Sequence, residues 1–414
     1  MNAATGLRRA RWAACLAAAL TVALTLSACT HKKDTKKEAA DKPVALVPIT
    51  NSVEVRRLWA TKISGEAPKL RLGLGVAAND QRVFVASHKG VVEAFAVDSG
   101  KRLWRHSVKA PLSGGPSAAF GLVIVGTSKG EVIALSEADG TPVWRVRINA
   151  EILAGPAIGT DTVVVRAVDG KMHGLSAKDG SESWVADQQV PRLSLRGTSA
   201  PLLSGDLAIS GFDNGRLLAV NRRNGTTVWD TAVGQSHGST ELARLIDVDA
   251  PVVGDGEDIF AVAFQGRLAH ISRDTGQVLW THDTSSYRGL AVDDTSVYVS
   301  TSEGNVVGLD RRNGTEHWTQ KALARRQLTA PVVYGGYVVV ADGGGVIHWL
   351  NPADGEFVAR ALVDKSSSSK PVTSKTISLD RRISSEPIVA NGLLLVFTDS
   401  GLLSAFRAPP YVKH

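Results

Sequence analysis

Cysteine is nearly absent from this 414-residue chain, which has only Cys15 and Cys29, and Cys15 falls inside an apolar, leader-like stretch. A chain processed after that stretch keeps Cys29 alone, so no intramolecular disulfide can form and a Cys-x-x-Cys-His haem attachment is excluded. Aromatic residues make up 6% and neither sign of charge dominates, with 47 Lys and Arg against 40 Asp and Glu. Three of the cations, Arg8, Arg9 and Arg11, belong to the leader, which carries no acid, and the remaining 44 to 40 leaves +4. That balance calls for no nucleic acid. Catalytic signatures are missing too: there is no Gly-x-Ser-x-Gly, His-Glu-x-x-His or Gly-x-x-x-x-Gly-Lys-Ser/Thr, and the ten histidines are scattered without ligand spacing. Asp247 through Asp258 is acidic, but it lacks the glycine that a calcium-binding EF-hand loop needs at its sixth position and ends on Asp rather than Glu.

The apolar run from Trp12 to Leu26 is shorter than the roughly 20 residues a transmembrane helix needs. It follows the arginines and ends in Leu26-Ser27-Ala28-Cys29, where small residues admit a peptidase and the thiol can take a diacylglyceryl group. The arrangement resembles the lipobox of bacterial lipoproteins. That resemblance implies a signal peptide over 1–28, lipidation of Cys29 and a membrane anchor, and Thr30 rather than Asp behind the cysteine implies sorting to the outer membrane. Residues 29–50 are rich in Lys, Asp, Glu and Ala with no apolar period, so they read as a tether.

The body, 51–414, is a repeat. Its clearest copy is Gly130-Glu131-Val132-Ile133-Ala134-Leu135, then Ala138-Asp139-Gly140, then Thr141-Pro142-Val143-Trp144. β-branched and apolar residues on both sides of an Asp-Gly turn make two antiparallel strands closing on a tryptophan. The unit recurs from Gly90 to Trp104, Gly170 to Trp184, Gly215 to Trp229, Gly266 to Trp280 and Gly304 to Trp318. A seventh copy from Gly345 has Phe357 about where the tryptophan belongs, and an eighth starts at Gly401 and finds its other half at Leu58-Trp59. Further strand-like runs, such as Val83-Phe84-Val85-Ala86 and Tyr337-Val338-Val339-Val340, lie between the units. Four short strands per repeat predict an all-β, eight-bladed β-propeller whose last blade is closed by strands from both termini. An open solenoid is the alternative, and the split eighth unit argues against it. The tryptophans read as packing residues between blades.

Eight blades with tryptophan-ended repeats are similar to the quinoprotein alcohol dehydrogenases. That family's cofactor lies under a disulfide of adjacent cysteines, which this chain cannot form. A degenerate, quinone-binding oxidoreductase is therefore the second reading, and the first is a non-enzymatic protein without a cofactor.

Insertions break the period in two consecutive blades. From Trp104 to Gly130 and from Trp144 to Gly170 the distance is 26 residues, but it is 31 from Trp184 to Gly215 and 37 from Trp229 to Gly266. Extra chain between blades projects as loops, where function concentrates. The first loop contains Val190-Pro191-Arg192-Leu193-Ser194-Leu195-Arg196-Gly197 and the second ends in Asp247-Val248-Asp249. In extended backbone Leu193 and Leu195 point to one side, and so do Asp247 and Asp249. An internal Arg196–Asp salt bridge and a surface offered to a partner are both compatible with this pattern. Leu-Ser-Leu-Arg-Gly followed by Asp-Val-Asp, on a lipobox-bearing eight-unit body, resembles the BamB family, the propeller lipoproteins of the β-barrel assembly machinery. The resemblance implies a scaffold on the periplasmic face of the outer membrane that assists folding and insertion of outer-membrane proteins. It implies contact of Leu193, Leu195, Arg196, Asp247 and Asp249 with the periplasmic POTRA domains of BamA, and unfolded outer-membrane chains as further partners. The Ser- and Lys-rich stretch 365–384 departs from the pattern.

Overall fold

Each repeat closes as predicted into its own sheet. The structure, a computed structural model, describes residues 42–63, 73–189, 197–234, 246–365 and 380–412. Within them lie eight four-stranded antiparallel sheets and no helix, the second sheet gaining a short parallel strand, Gly73–Leu74. Blade 1 runs Val76–Ala78, Arg82–Ala86, Val91–Ala96 and Arg102–Ser107, and blades 2 to 7 repeat that order. In blade 8 the strands Ile388–Ala390, Leu393–Phe397 and Leu402–Arg407 are completed by Arg56–Lys62, paired antiparallel to the last of them. The leader and Cys29 lie outside the described residues.

Burial explains why the apolar runs are continuous rather than alternating. The second strand of a blade is covered on both faces by its neighbours, and Thr162–Arg166, Leu207–Gly211 and Tyr337–Ala341 are buried at every residue. Eight apolar clusters result, one at each junction between successive blades. One of them joins Val83, Val85 and Phe95 of blade 1 to Leu393, Leu395 and Leu403 of blade 8, so the ring is closed and the solenoid is excluded.

The tryptophans seam the ring. Seven indole N–H groups, from Trp59 to Trp318, each donate to a backbone carbonyl of the next blade at 2.7–3.0 Å. Each ring also lies flat on the turn glycine of that blade: a Cβ on Gly140 would sit 2.5 Å from Trp104, and one on Gly355 would sit 2.4 Å from Trp318. The repeated glycine thus answers two demands, a left-handed turn (φ +74° at Gly140) and room for an indole.

Blade 7 corrects the sequence reading. Counting four residues beyond the turn glycine leads to Ala359, not Phe357, and across the sheet from Ala359 stands Trp349, where blade 6 has Gly308 opposite Trp318. The large and small partners have exchanged strands. The reason is topological: the outer strands of blade 8 come from the two ends of the chain, so no hairpin glycine waits there for an indole. Trp349 instead is fully buried, edge-on to Phe406 of blade 8 at 6.3 Å. Phe357, half-buried, lies under the Arg360 guanidinium at 4.2 Å.

Residues 43–50, expected to belong to the tether, instead pack on the ring. Pro43 onward belongs to the same compact unit as the ring. Leu46 is buried in the cluster between blades 6 and 7, and Ser52 donates its N–H to Val358 O at 2.9 Å. Pro43 to Ile49 is an apolar run, unlike the charged stretch before it, and that change of composition was the available signal.

Candidate functional site

The two long insertions meet the ring around a buried arginine. Arg166 ends the strand Thr162–Arg166 of blade 3, at a place where other blades have Ala86, Gly126, Val262 or Ala341. Its side chain, fully buried, reaches blade 4 and lies 4.1 Å over the ring of Phe212. There it pairs with Asp213 at 3.3 Å and donates to Ala167 O. Asp213 occupies the turn that leads into Arg216–Asn221, a turn closed by Gly215 N–H on Phe212 O.

The second insertion brings Asp247 and Asp249 to the same spot. Ile246 and Val248 point into the cluster between blades 4 and 5, so the alternating aspartates turn the other way. Backbone bonds hold the segment: Phe264 N–H donates to Asp247 O at 2.7 Å and Val248 N–H to Phe212 O at 3.3 Å. As the alternation predicts, the carboxylates converge, and oxygens of Asp213, Asp247 and Asp249 lie within 4.8 Å of one another. Asp247 is only 2% exposed, so of the two readings open from sequence it favours an internal pairing over a displayed acid.

Three carboxyls facing one guanidinium cannot all stay ionised in a buried site. Burial, then the Asp249 and Asp213 charges, pushes Asp247 up to about 9, and burial with the Asp213 charge pushes Asp249 up to about 6. A proton is therefore retained at Asp247 through neutral pH. Asp247 and Asp249 share a side-chain hydrogen bond, the retained proton lying between the two carboxyls. The trio offers the hard oxygen donors of a divalent-cation site, but Arg166 already neutralises one of its charges.

Of the first insertion, Leu193, Leu195 and Arg196 lie outside the described residues. Gly197, which follows them directly, packs against Asp249 so closely that a Cβ would sit 2.4 Å from its Oδ2. Ser199 Oγ, two residues on, donates to Ala250 O at 2.9 Å. The ends of the two insertions are thus in contact. Arg166, Asp213 and Gly197 were not singled out from sequence; a charged residue closing an otherwise apolar strand was the available signal for Arg166. Arg196 also stands five residues before the proline that opens an inner strand, a place held elsewhere by Arg326 and Arg382. Both of these are buried and ion-paired, to Asp342 and Asp399.

The family model for the outer membrane protein assembly factor BamB matches residues 88–320, more than half of the chain. A Pseudomonas aeruginosa protein of that name is 42% identical over 390 residues, spanning 94% of this chain and 98% of its own length. The chain belongs to the BamB family. The BamB of Escherichia coli is 36% identical over 86% of this chain and 90% of its own. Among solved structures, BamB from Moraxella catarrhalis superposes with a TM-score of 0.75 at 26% identity, covering 86% of this chain and all of that one. A quinohemoprotein alcohol dehydrogenase from Comamonas testosteroni reaches 0.65 at 12% identity over 89% of this chain and 79% of its own, a likeness of fold alone. The curated relatives are named as assembly factors of outer-membrane proteins and not as enzymes, which sets the oxidoreductase reading aside.

Proposed function

We propose that this chain is a lipid-anchored scaffold of outer-membrane protein assembly that docks the periplasmic POTRA domains of BamA through the surface built by its two long insertions. The observation that carries the reading is the contact of Gly197, the first described residue after Arg196, with Asp249 of the coupled acid pair. A site fixed from behind by Arg166 and Asp213 is preorganised, so little ordering entropy opposes docking. Membership of the BamB family supports the assembly role, and Leu26-Ser27-Ala28-Cys29 supports processing after 28 and lipidation of Cys29 on the periplasmic side of the outer membrane. Unfolded outer-membrane chains are the substrates such a scaffold would help to deliver.

The test is capture of the mature chain by immobilised POTRA domains, comparing wild type with Leu193→Ala, Leu195→Ala and Arg196→Glu variants whose folding is checked by circular dichroism. Loss of capture in the folded variants is expected. Capture that survives all three substitutions removes this surface from the interface.

A further inference from the structure

Residues 43–53, apolar from Pro43 to Ile49, are gripped by the ring. Two buried arginines donate to their backbone: Arg326 Nη1 to Val44 O at 2.9 Å, and Arg360 Nη1 to Val47 O. Both belong to one internal network. Arg326 Nε bonds Asp342 Oδ2 at 2.5 Å, His348 Nε2 meets the same oxygen at 3.2 Å, and Arg360 Nε donates to His348 Nδ1 at 3.2 Å. That chain of bonds requires the neutral imidazole with its proton on Nε2. Buried guanidinium N–H groups need acceptors, and the carbonyls of Val44 and Val47 supply one to each arginine.

The remaining contacts agree. Val44 N–H donates to Ala324 O at 3.2 Å, Leu46 is 5% exposed, and Asn51 exchanges two hydrogen bonds with the backbone of Arg360, at 3.0 and 3.1 Å. On either side of Arg326, Arg325 and Gln327 hold left-handed φ of +60° and +57°. Such conformations in side-chain-bearing residues persist where the surroundings demand them, and here they turn Arg326 inward.

We propose that 43–53 is a latch: blades 6 and 7 hold it so that the membrane tether leaves the ring at one fixed point, on the face that also carries the Asp247–Asp249 site. The shared face follows from the blade's topology. In a four-stranded antiparallel blade the turn after the second strand and the link to the next blade lie at the same end. Asp213 and Asp342 occupy such turns, while Asp247 and Arg326 occupy such links. The proposal rests on the reading of Cys29 as the lipidated residue. With the latch closed, the tether from Cys29 to Lys42 reaches at most about 50 Å. Released as far as Val55, it would be nearly twice as long in residues, and the local concentration of the docking face at its partner would fall about threefold.

Hydrogen exchange on the full mature chain tests the latch. Amides of 43–53 should exchange at least tenfold more slowly than those of 31–41 in wild type, and at the tether's rate in Leu46→Asp and Arg326→Gln, with blade amides unchanged. Leu46→Asp changes the strap alone, so it still decides the matter if Arg326→Gln disturbs the ring. Strap amides as fast as the tether in wild type, or still protected in Leu46→Asp, overturn the latch. For orientation, the lipidated protein carrying a dye at Lys178→Cys is bound to phosphatidylethanolamine/phosphatidylglycerol vesicles and its energy transfer to a lipid dye is recorded. A narrow distance distribution that broadens in Leu46→Asp supports the fixed exit point, and equal widths overturn it. Wild type that fails to float with the vesicles overturns the lipid-anchor reading and the orienting role with it, while the exchange data still decide the latch.

Discussion

Two glycines of blade 2 separate the cost of a left-handed turn from the cost of crowding an indole. Gly121 and Gly140 have nearly the same backbone, φ +79° and +74°, but nothing lies within 4 Å of a Cβ on Gly121, whereas one on Gly140 would sit 2.5 Å from Trp104 Cε3. An alanine in left-handed backbone costs about 1–2 kcal/mol, and Gly121→Ala should lose that and little more. Gly140→Ala adds overpacking, about 1–3 kcal/mol. Trp104 can withdraw only by giving up its 3.0 Å hydrogen bond to Glu137 O, worth about 1 kcal/mol. The expected gap between the two variants is therefore roughly 2–4 kcal/mol. Urea unfolding of the mature chain, followed by far-ultraviolet circular dichroism, measures it. In a Trp104→Ala background the gap should close, because the indole that is crowded is gone. Equal losses in Gly121→Ala and Gly140→Ala, or a gap that persists without Trp104, would refute the account of the seam.

Three further outcomes follow from the site. Asp247 titrates above its ordinary value, so its retained proton supports the fold fully at pH values below the unfolded carboxyl's range, and that support is lost as pH rises toward 9. Asp247→Asn should accordingly be more stable than wild type at pH 8, with the difference vanishing near pH 4; parallel stability profiles would show that the carboxyl is not held neutral. Gly197→Ala, which drives a methyl to within 2.4 Å of Asp249 Oδ2, should weaken capture by POTRA domains about tenfold or more with the circular dichroism of the ring unchanged, and undiminished capture would detach Asp249 from docking. Arg166→Met leaves Asp213 buried without its cation and should cost about 3–5 kcal/mol in urea unfolding, most of which Arg166→Met with Asp213→Leu restores. A double variant no better than the single one would mean that the arginine acts by packing on Phe212 alone.

The repeats declared the architecture because a blade is a local object. Asp139-Gly140 makes a turn, Val132 to Leu135 makes a strand, and Trp144 four residues beyond the glycine repeats at a period that needs no long-range information. The same locality let alternation bring Asp247 and Asp249 to one side, and the structure agrees. Locality also misled. Phe357 looked like a substitute for a tryptophan, since nothing within the repeat says that blade 8 lacks a hairpin, and the exchange of Trp349 with Ala359 is set by that neighbour.

What only the tertiary structure decided concerns groups whose partners lie in other blades. Arg166 and Asp213 are 47 residues apart and Arg326 and Val44 are 282 apart, with no periodicity linking either pair. Burial then altered their chemistry: Asp247 and Asp249 became a pair that faces a buried guanidinium, and residues 43–50, read as tether, became a strap held by two arginines. The sequence by itself determined the blade, the ring and the family motifs, because short-range turn and strand chemistry is written in consecutive residues. Which charges lose their water, and which stretch of tether finds a pocket, depended on surfaces that exist only once the ring has closed.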